Sequence, residues 1–185
     1  MRVVPTSIPG LVVIEPDVFR DARGFFLETY HQARYAAAGI PGPFVQDNHS
    51  YSARGTLRGL HLQVKRPQGK LVRAVDGEMF DVAVDVRRGS PTFGRAAQVV
   101  LSGENFKQLY VPPGFAHGFC VVSDRVHVEY KCTDVYDPAD ELTVAWDDPA
   151  LAIPWPAVEP VLSAKDRGAR RLSELADRLP VYVAP

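Results

Sequence analysis

With 185 residues and a formal net charge of −1, the chain is long enough to bury the core of one domain and carries no excess of either sign. No basic run interleaved with aromatics marks a nucleic-acid surface, and no apolar stretch approaches the length of a membrane helix. The opening MRVVPTSIPGLVVIEP is broken by Pro5 and Pro9 before a signal-peptide core can develop, and Cys120 and Cys132 have no metal-motif spacing, so a cytoplasmic protein with two ordinary thiols is expected.

In chain order, LVVIE (11–15) reads as a first strand, and HQARYAAAGI (31–40) as a short helix ending at Gly39. LRGLHLQ (57–63) is strand-like but interrupted by Gly59. Short β runs then dominate: LVRAV (71–75), MFDVAVDV (79–86), AAQVVL (96–101), QLYVP (108–112), HGFCVV (117–122), VHVEYKC (126–132) and LTVAW (142–146). DG, RRGSP, LSGEN, PPG and SD punctuate them as turns. Near the C-terminus GARRLSELADRL places Leu172, Leu175, Ala176 and Leu179 at helical spacing. That rhythm predicts a single all-β domain over 1–185, a sandwich or barrel with short peripheral helices and a C-terminal helix.

Period-2 alternation decides which side chains meet. In VHVEYKC, Val126, Val128, Tyr130 and Cys132 share one face, so Tyr130 points inward and His127 outward. In KLVRAV, Lys70 shares a face with Val72 and Ala74; it either joins a cavity wall or sits at a strand end with its ammonium in water. Arg58 and His61 fall on opposite faces of a regular strand, and a bulge at Gly59 would re-aim one of them onto the other's side.

VPPGFAHGF resembles the second cupin motif through Pro112, Gly114 and His117, and the stretch from His61 to Gly77 echoes the first. Metal-binding cupins carry a glutamate seven residues before that glycine; here the position is Lys70. A protonated amine has no lone pair for a cation, so no metal and no cofactor are expected, and the cavity suits an anion. Proton abstraction next to a ketone needs a base of near-neutral pKa, a cation or donor beside the developing enolate oxygen, and an acid to return the proton. His61, Lys70 and Tyr130 form such a set.

Eight collinear segments then resemble the dTDP-4-dehydrorhamnose 3,5-epimerase family of metal-free cupins, from about residue 8 to 180. They are DxRGFFLETY (21–30), QDNHS (46–50), LRGLHLQ (57–63), QGKLVRAVDGEMFDVAVDVRRGSPTFG (68–94), LYVPPGFAHGF (109–119), YKCTDVYDPADE (130–141), WDDPALAIPWP (146–156) and LSAKD (162–166). The resemblance implies a cupin-type jelly roll and epimerisation of dTDP-4-dehydro-6-deoxy-D-glucose at carbons 3 and 5. It implies His61 as proton acceptor oriented by Asp166, Tyr130 as proton donor and Lys70 as enolate stabiliser. Arg23, Glu28, Gln46, Asn48, Arg58, His117, Glu141 and Lys165 match positions that hold the nucleotide sugar, with Phe26 and Tyr136 as packing candidates. Asp81 is either a partner behind the site or a plain strand aspartate. The resemblance also implies a homodimer in which an N-terminal strand crosses to the neighbour, taking Arg23 and Glu28 to the neighbour's site. Gly69, where relatives more often carry an alanine-like residue, and the missing proline after Lys165–Asp166 are departures. They leave room for a mono-epimerase of a modified dTDP-hexulose. A non-catalytic sugar-nucleotide-binding cupin and a metal-dependent oxygenase are the rival classes.

Overall fold

In the computed structural model, which describes residues 1–157 and 159–184, eleven strands and a few short helical turns alternate with tight loops. The strands are β1 (Arg2–Pro5), β2 (Val12–Glu15), β3 (Val18–Asp21), β4 (Gly24–Leu27), β5 (Gln46–Ala53), β6 (Leu57–Gln63), β7 (Lys70–Asp85), β8 (Ala96–Ser102), β9 (Gln108–Val111), β10 (Phe115–Cys132) and β11 (Glu141–Thr143). Nine of them form one antiparallel sheet in the order β1-β2-β9-β7-β10-β6-β11, with β5 on β10 and β8 on β7, while β3 and β4 pair only with each other.

β7 and β10 are the spine. Four expected strands fuse into these two because their intervening DG and SD do not make turns. They make bulges, and the β7–β10 register shifts between Val121 and Val126. Gly77 adopts φ +76° there, and a Cβ on it would lie 1.9 Å from the Arg125 carbonyl. The fused ribbon bends at this point, and its two halves serve two layers. The first half of β7 and the second half of β10 pair with β9 and β5, and the remaining halves pair with β8 and β6. This is the expected jelly-roll sandwich. β5 was not anticipated: its polar sequence QDNHSYSA reads as a turn, yet it pairs with β10 over eight consecutive registers.

The core follows from the alternation. Val72, Ala74, Met79, Ala83, Val126 and Val128 point between the layers with Leu109, Phe115 and Phe119. The outer face of one layer, Leu60, Leu62, Val82, Val84 and Leu142, is covered by the C-terminal segment through Leu172, Leu175 and Leu179. The opposite outer face is covered by α1 (Gln32–Ala37), whose Tyr35 packs on Ile14, Leu71 and Tyr110. Gly39 at φ +80° ends α1 as expected. The predicted C-terminal α-helix is instead a 3₁₀-helix, Leu172–Arg178, preceded by the short α2, Ala164–Arg167. Leu172 and Leu175 are buried and Ala176 is exposed, so the apolar spacing in contact is three, which suits three residues per turn. Among the described residues no helix is long and apolar enough to cross a membrane.

Candidate active site

β6 solves the Arg58–His61 problem as the glycine suggested. His117 pairs with His61 but Phe119 pairs with Arg58, so one extra residue of β6 bulges between them. Gly59 has φ +126°, and a Cβ on it would lie 2.5 Å from Gly118 Cα, so only glycine permits the close approach of β6 to β10. The consequence is that Arg58 and His61 face the same cavity, of about 730 Å³, between the layers.

His61 is held at one wall. Its Nε2–H donates to Asp166 Oδ1 at 2.6 Å, which leaves Nδ1 as the basic atom, 3.9 Å from Glu141 Oε1. Asp166 is itself fixed: Ser163 caps α2 by accepting the Asp166 N–H at 3.1 Å and donates its hydroxyl to Asp166 Oδ2 at 2.7 Å. Burial pushes the Asp166 carboxyl up, but the His61 and Ser163 hydrogen bonds prevail and hold it below the usual aspartate value. The carboxylate is therefore anionic, and it sets both the tautomer and the ring plane of His61.

Lys70 lies inward, as the alternation with Val72 and Ala74 requires, and is only 9% exposed. Among the described residues its ammonium has no ion-pair partner; burial lowers its pKa, with Cys132, Glu141 and Asp81 pulling the other way. A cation so placed lacks what an oxyanion would supply. Tyr130 packs against the interior cluster and lines the same cavity, its phenol pushed up by burial first, with the Arg58 charge opposing. His127, expected outward, meets His49 on the outer face at 2.9 Å.

Gln46, Asn48, His117, Glu141 and Lys165 line the cavity as well. Gln46 donates to Asn48 Oδ1 at 2.9 Å and accepts the Tyr136 N–H at 2.7 Å. Glu141 accepts from Lys165 Nζ at 2.7 Å and Tyr136 Oη at 3.1 Å; burial raises its carboxyl, but Lys165 and His61 bring it below the ordinary glutamate value. Behind the cavity His117 donates to Asp81, with Nε2 3.0 Å from both carboxylate oxygens. Asp81 is thus a partner of a cavity histidine rather than a strand-surface aspartate.

Three expected residues are elsewhere. Arg23 is exposed in the β3–β4 turn and paired with its neighbour Asp21 at 2.6 Å, Glu28 pairs with Arg34, and Phe26 is 70% exposed on the same hairpin. In return the cavity contains residues that were not singled out for it. Ser163 was announced by the Ser-x-x-Asp capping pattern in LSAKD, and Cys132 by its place two residues from Tyr130 on one strand face. Ser50 and Gln68 lie inside the resembling segments QDNHS and QGKLVRAV but were not singled out, because β5 was not read as a strand and the approach to β7 was not read as wall. Among the described residues no three His, Cys, Asp or Glu side chains converge as a metal site.

Comparison with known proteins decides the kinship. The family model described as dTDP-4-dehydrorhamnose 3,5-epimerase matches residues 5–174. The chain belongs to the dTDP-4-dehydrorhamnose 3,5-epimerase family. An epimerase of that name from Pseudomonas aeruginosa is 52% identical over 97% of this chain and 100% of its own length. The chain spans about half (51%) of a Neisseria gonorrhoeae relative with the same name, at 52% identity. Among solved structures, the dTDP-6-deoxy-D-glucose-3,5-epimerase of Legionella pneumophila, in complex with dTDP-4-keto-L-rhamnose, superposes with TM-score 0.96 at 50% identity, covering 99% of both chains. A 3′-monoepimerase from Streptomyces bikiniensis, in complex with dTDP-quinovose, superposes with TM-score 0.90 at 38% identity, covering 97% of this chain and 93% of its own. The cupin-type fold of these epimerases is the fold of this family member.

Proposed function

We propose that this epimerase-family protein converts dTDP-4-dehydro-6-deoxy-D-glucose to dTDP-4-dehydro-L-rhamnose, as a step of dTDP-L-rhamnose synthesis in the cytoplasm. The observation that carries the reading is the convergence of His61, Lys70 and Tyr130 on one cavity, with His61 tied to Asp166 at 2.6 Å.

The chemistry follows from the groups. His61 Nδ1 removes a proton from a carbon flanking the ketone, and Asp166 stabilises the imidazolium that forms. The electron pair moves onto the carbonyl oxygen, where the buried Lys70 ammonium meets the enolate charge. Tyr130 returns a proton to the opposite face of the carbon, its phenol kept protonated by burial until the enolate draws on it. Exchange with solvent then takes the proton from His61 and restores the one on Tyr130, and repetition at the other flanking carbon completes the double inversion. Arg58, whose Nε is anchored to Ser52 Oγ at 3.0 Å, suits the diphosphate, and Gln46, Asn48, His117, Glu141 and Lys165 suit the rest of the nucleotide sugar.

The protein acts as a homodimer. Support comes from the β3–β4 hairpin, which pairs only with itself and carries exposed Phe19 and Phe26 beside Arg23. Docked on a second copy, it would bring Arg23 and Glu28 to that copy's cavity, where a single chain leaves them outside. Mixing inactive Arg23→Ala with inactive His61→Ala protein, with subunit exchange, should restore part of the activity, since a mixed dimer then has one intact site. Absence of any recovery would overturn the shared site.

The decisive test is NMR of the substrate incubated with the protein in heavy water. Deuterium at carbons 3 and 5 with an L-configured product supports the reading; label at one carbon identifies a mono-epimerase, and no label removes enolate chemistry altogether.

A further inference from the structure

The β3–β4 hairpin has two faces that meet different surroundings. Its ladder sets Arg20 beside Phe25 on one face and Phe19 beside Phe26 on the other. Phe19 and Phe26 are 63% and 70% exposed. Among the described residues no other strand pairs with β3 or β4, so side-chain contacts must set the angle at which the hairpin leaves the body.

The Arg20–Phe25 face is gripped by Phe106, from the turn between β8 and β9. The two phenylalanine rings meet edge to face, with centroids 4.7 Å apart and planes at 61°. The Arg20 guanidinium lies 5.9 Å from the centroid of Phe25 and 5.3 Å from that of Phe106. Phe106 holds this place on a left-handed backbone, φ +56°, which is unfavourable for a bulky side chain. The turn before it imposes that conformation. Asn105 Oδ1 accepts the N–H groups of Ser102 and Lys107 at 3.1 and 3.0 Å, and Phe106 N–H donates to the Ser102 carbonyl at 3.1 Å. The next residue, Lys107, pairs with Glu15 at 3.5 Å, at the end of β2 where the chain leads into the hairpin. An aromatic ring on a locked and strained turn is a fixed peg, and such strain persists only where the surroundings enforce it.

We infer that Phe106 is a positioning residue that acts across the subunit boundary: clasping Phe25 and Arg20, it fixes the hairpin at the angle that presents Arg23, Phe26 and Glu28 to the neighbour's cavity. The inference rests on the shared-site reading of the homodimer and adds to it the device that aims the hairpin. Alternation then divides the labour, with one face held by its own chain and the Phe19–Phe26 face left for the second copy.

The test uses Phe106→Asn, which removes the ring while suiting a left-handed backbone. With the hairpin released, only a fraction of molecules presents its residues correctly. KM should rise about 5- to 30-fold while kcat changes less than about twofold. Phe106→Tyr, which keeps the ring, should restore the parent KM. Arg20→Met, made on the hairpin itself, should raise KM in the same direction but by less.

Mixing decides in which subunit the effect is felt. A dimer of one Phe106→Asn chain with one His61→Ala chain has a single live cavity, in the Phe106→Asn chain, served by the intact hairpin of the other. After subunit exchange a component with the parent KM should therefore appear. A mixture that shows only the raised KM places the effect of Phe106 within its own chain and overturns the inference, as does a parent-like KM for Phe106→Asn alone. The mixture of Arg23→Ala with His61→Ala is the companion measurement. Recovery there beside either of those results removes the role of Phe106 and leaves the shared site standing. No recovery there removes the shared site itself, and the inference with it.

Discussion

Two histidine–aspartate pairs face one cavity, and they are built differently. His61 meets Asp166 at 2.6 Å across a separation of 105 residues, whereas His117 meets Asp81 at 3.0 Å from the neighbouring strand. Asp166 has a second partner in the Ser163 hydroxyl, and its carboxyl is held below the ordinary value. Asp81 is fully buried with His117 as its hydrogen-bonded partner, and burial drives its carboxyl up despite the histidine and Lys70. The same two residue types therefore give a fully charged orienter in one place and a reluctant one in the other. The proposed base, His61, would gain a proton at each cycle and so needs the first kind; His117, proposed only to hold a ligand, can use the second.

The comparison breaks if the two pairs prove interchangeable. His61→Ala should have the largest effect, slowing deuterium exchange at carbons 3 and 5 by about 10²–10⁴-fold, while His117→Ala should chiefly raise KM. Lys70→Met should follow, with kcat lower by about 10²–10³-fold and binding of dTDP nearly unchanged; a simple KM effect would contradict its proposed place beside the enolate.

Asp166→Asn against Asp81→Asn sharpens the contrast. The first should lower kcat by roughly 10²-fold through a misoriented imidazole, and the second should raise KM by about 10-fold or less with kcat retained. Asp166 also has a pH signature. Because its folded pKa lies below its unfolded value of about 3.9, its stabilisation is fully present above that pH and disappears as pH falls through the folded value. Melting temperatures of parent and Asp166→Asn should therefore differ at pH 7 and draw together as the pH falls below the unfolded aspartate value. Smallest of all is Arg54→Ala. Arg54 and Asp124 pair on the surface at 2.9 Å with side chains 64% and 94% exposed, so chemical denaturation should register less than about 1 kcal/mol.

What could be read from the chain divides along the same line between local and distant causes. Alternation placed Tyr130 inward but left Lys70 open between a cavity wall and a strand end, Gly59 announced the bulge that unites Arg58 with His61, and the turn-rich rhythm announced a β sandwich. β5 could not be read, because its stability comes from pairing with β10 rather than from apolar periodicity in its own sequence. DG and SD were misread as turns because a bulge and a turn use the same residues, and only the partner strand distinguishes them. The C-terminal segment kept its leucines in the core but not its α-helical winding. Arg23 and Glu28 were legible as motif residues, yet one chain alone keeps Arg23 on an exposed hairpin turn and Glu28 just beyond it, paired with Arg34.

The bent β7–β10 ribbon carries Lys70 and Tyr130 near one end and Asp81 and His117 farther along, so the cavity is ruled off in backbone hydrogen bonds rather than in loop lengths. A ruler of this kind has no fine adjustment. Slipping the second half of β10 by one residue against β7 would turn Tyr130 and Cys132 through the sheet to the outside and deliver Glu129 and Lys131 in their place. Such a slip should therefore abolish turnover outright rather than detune it.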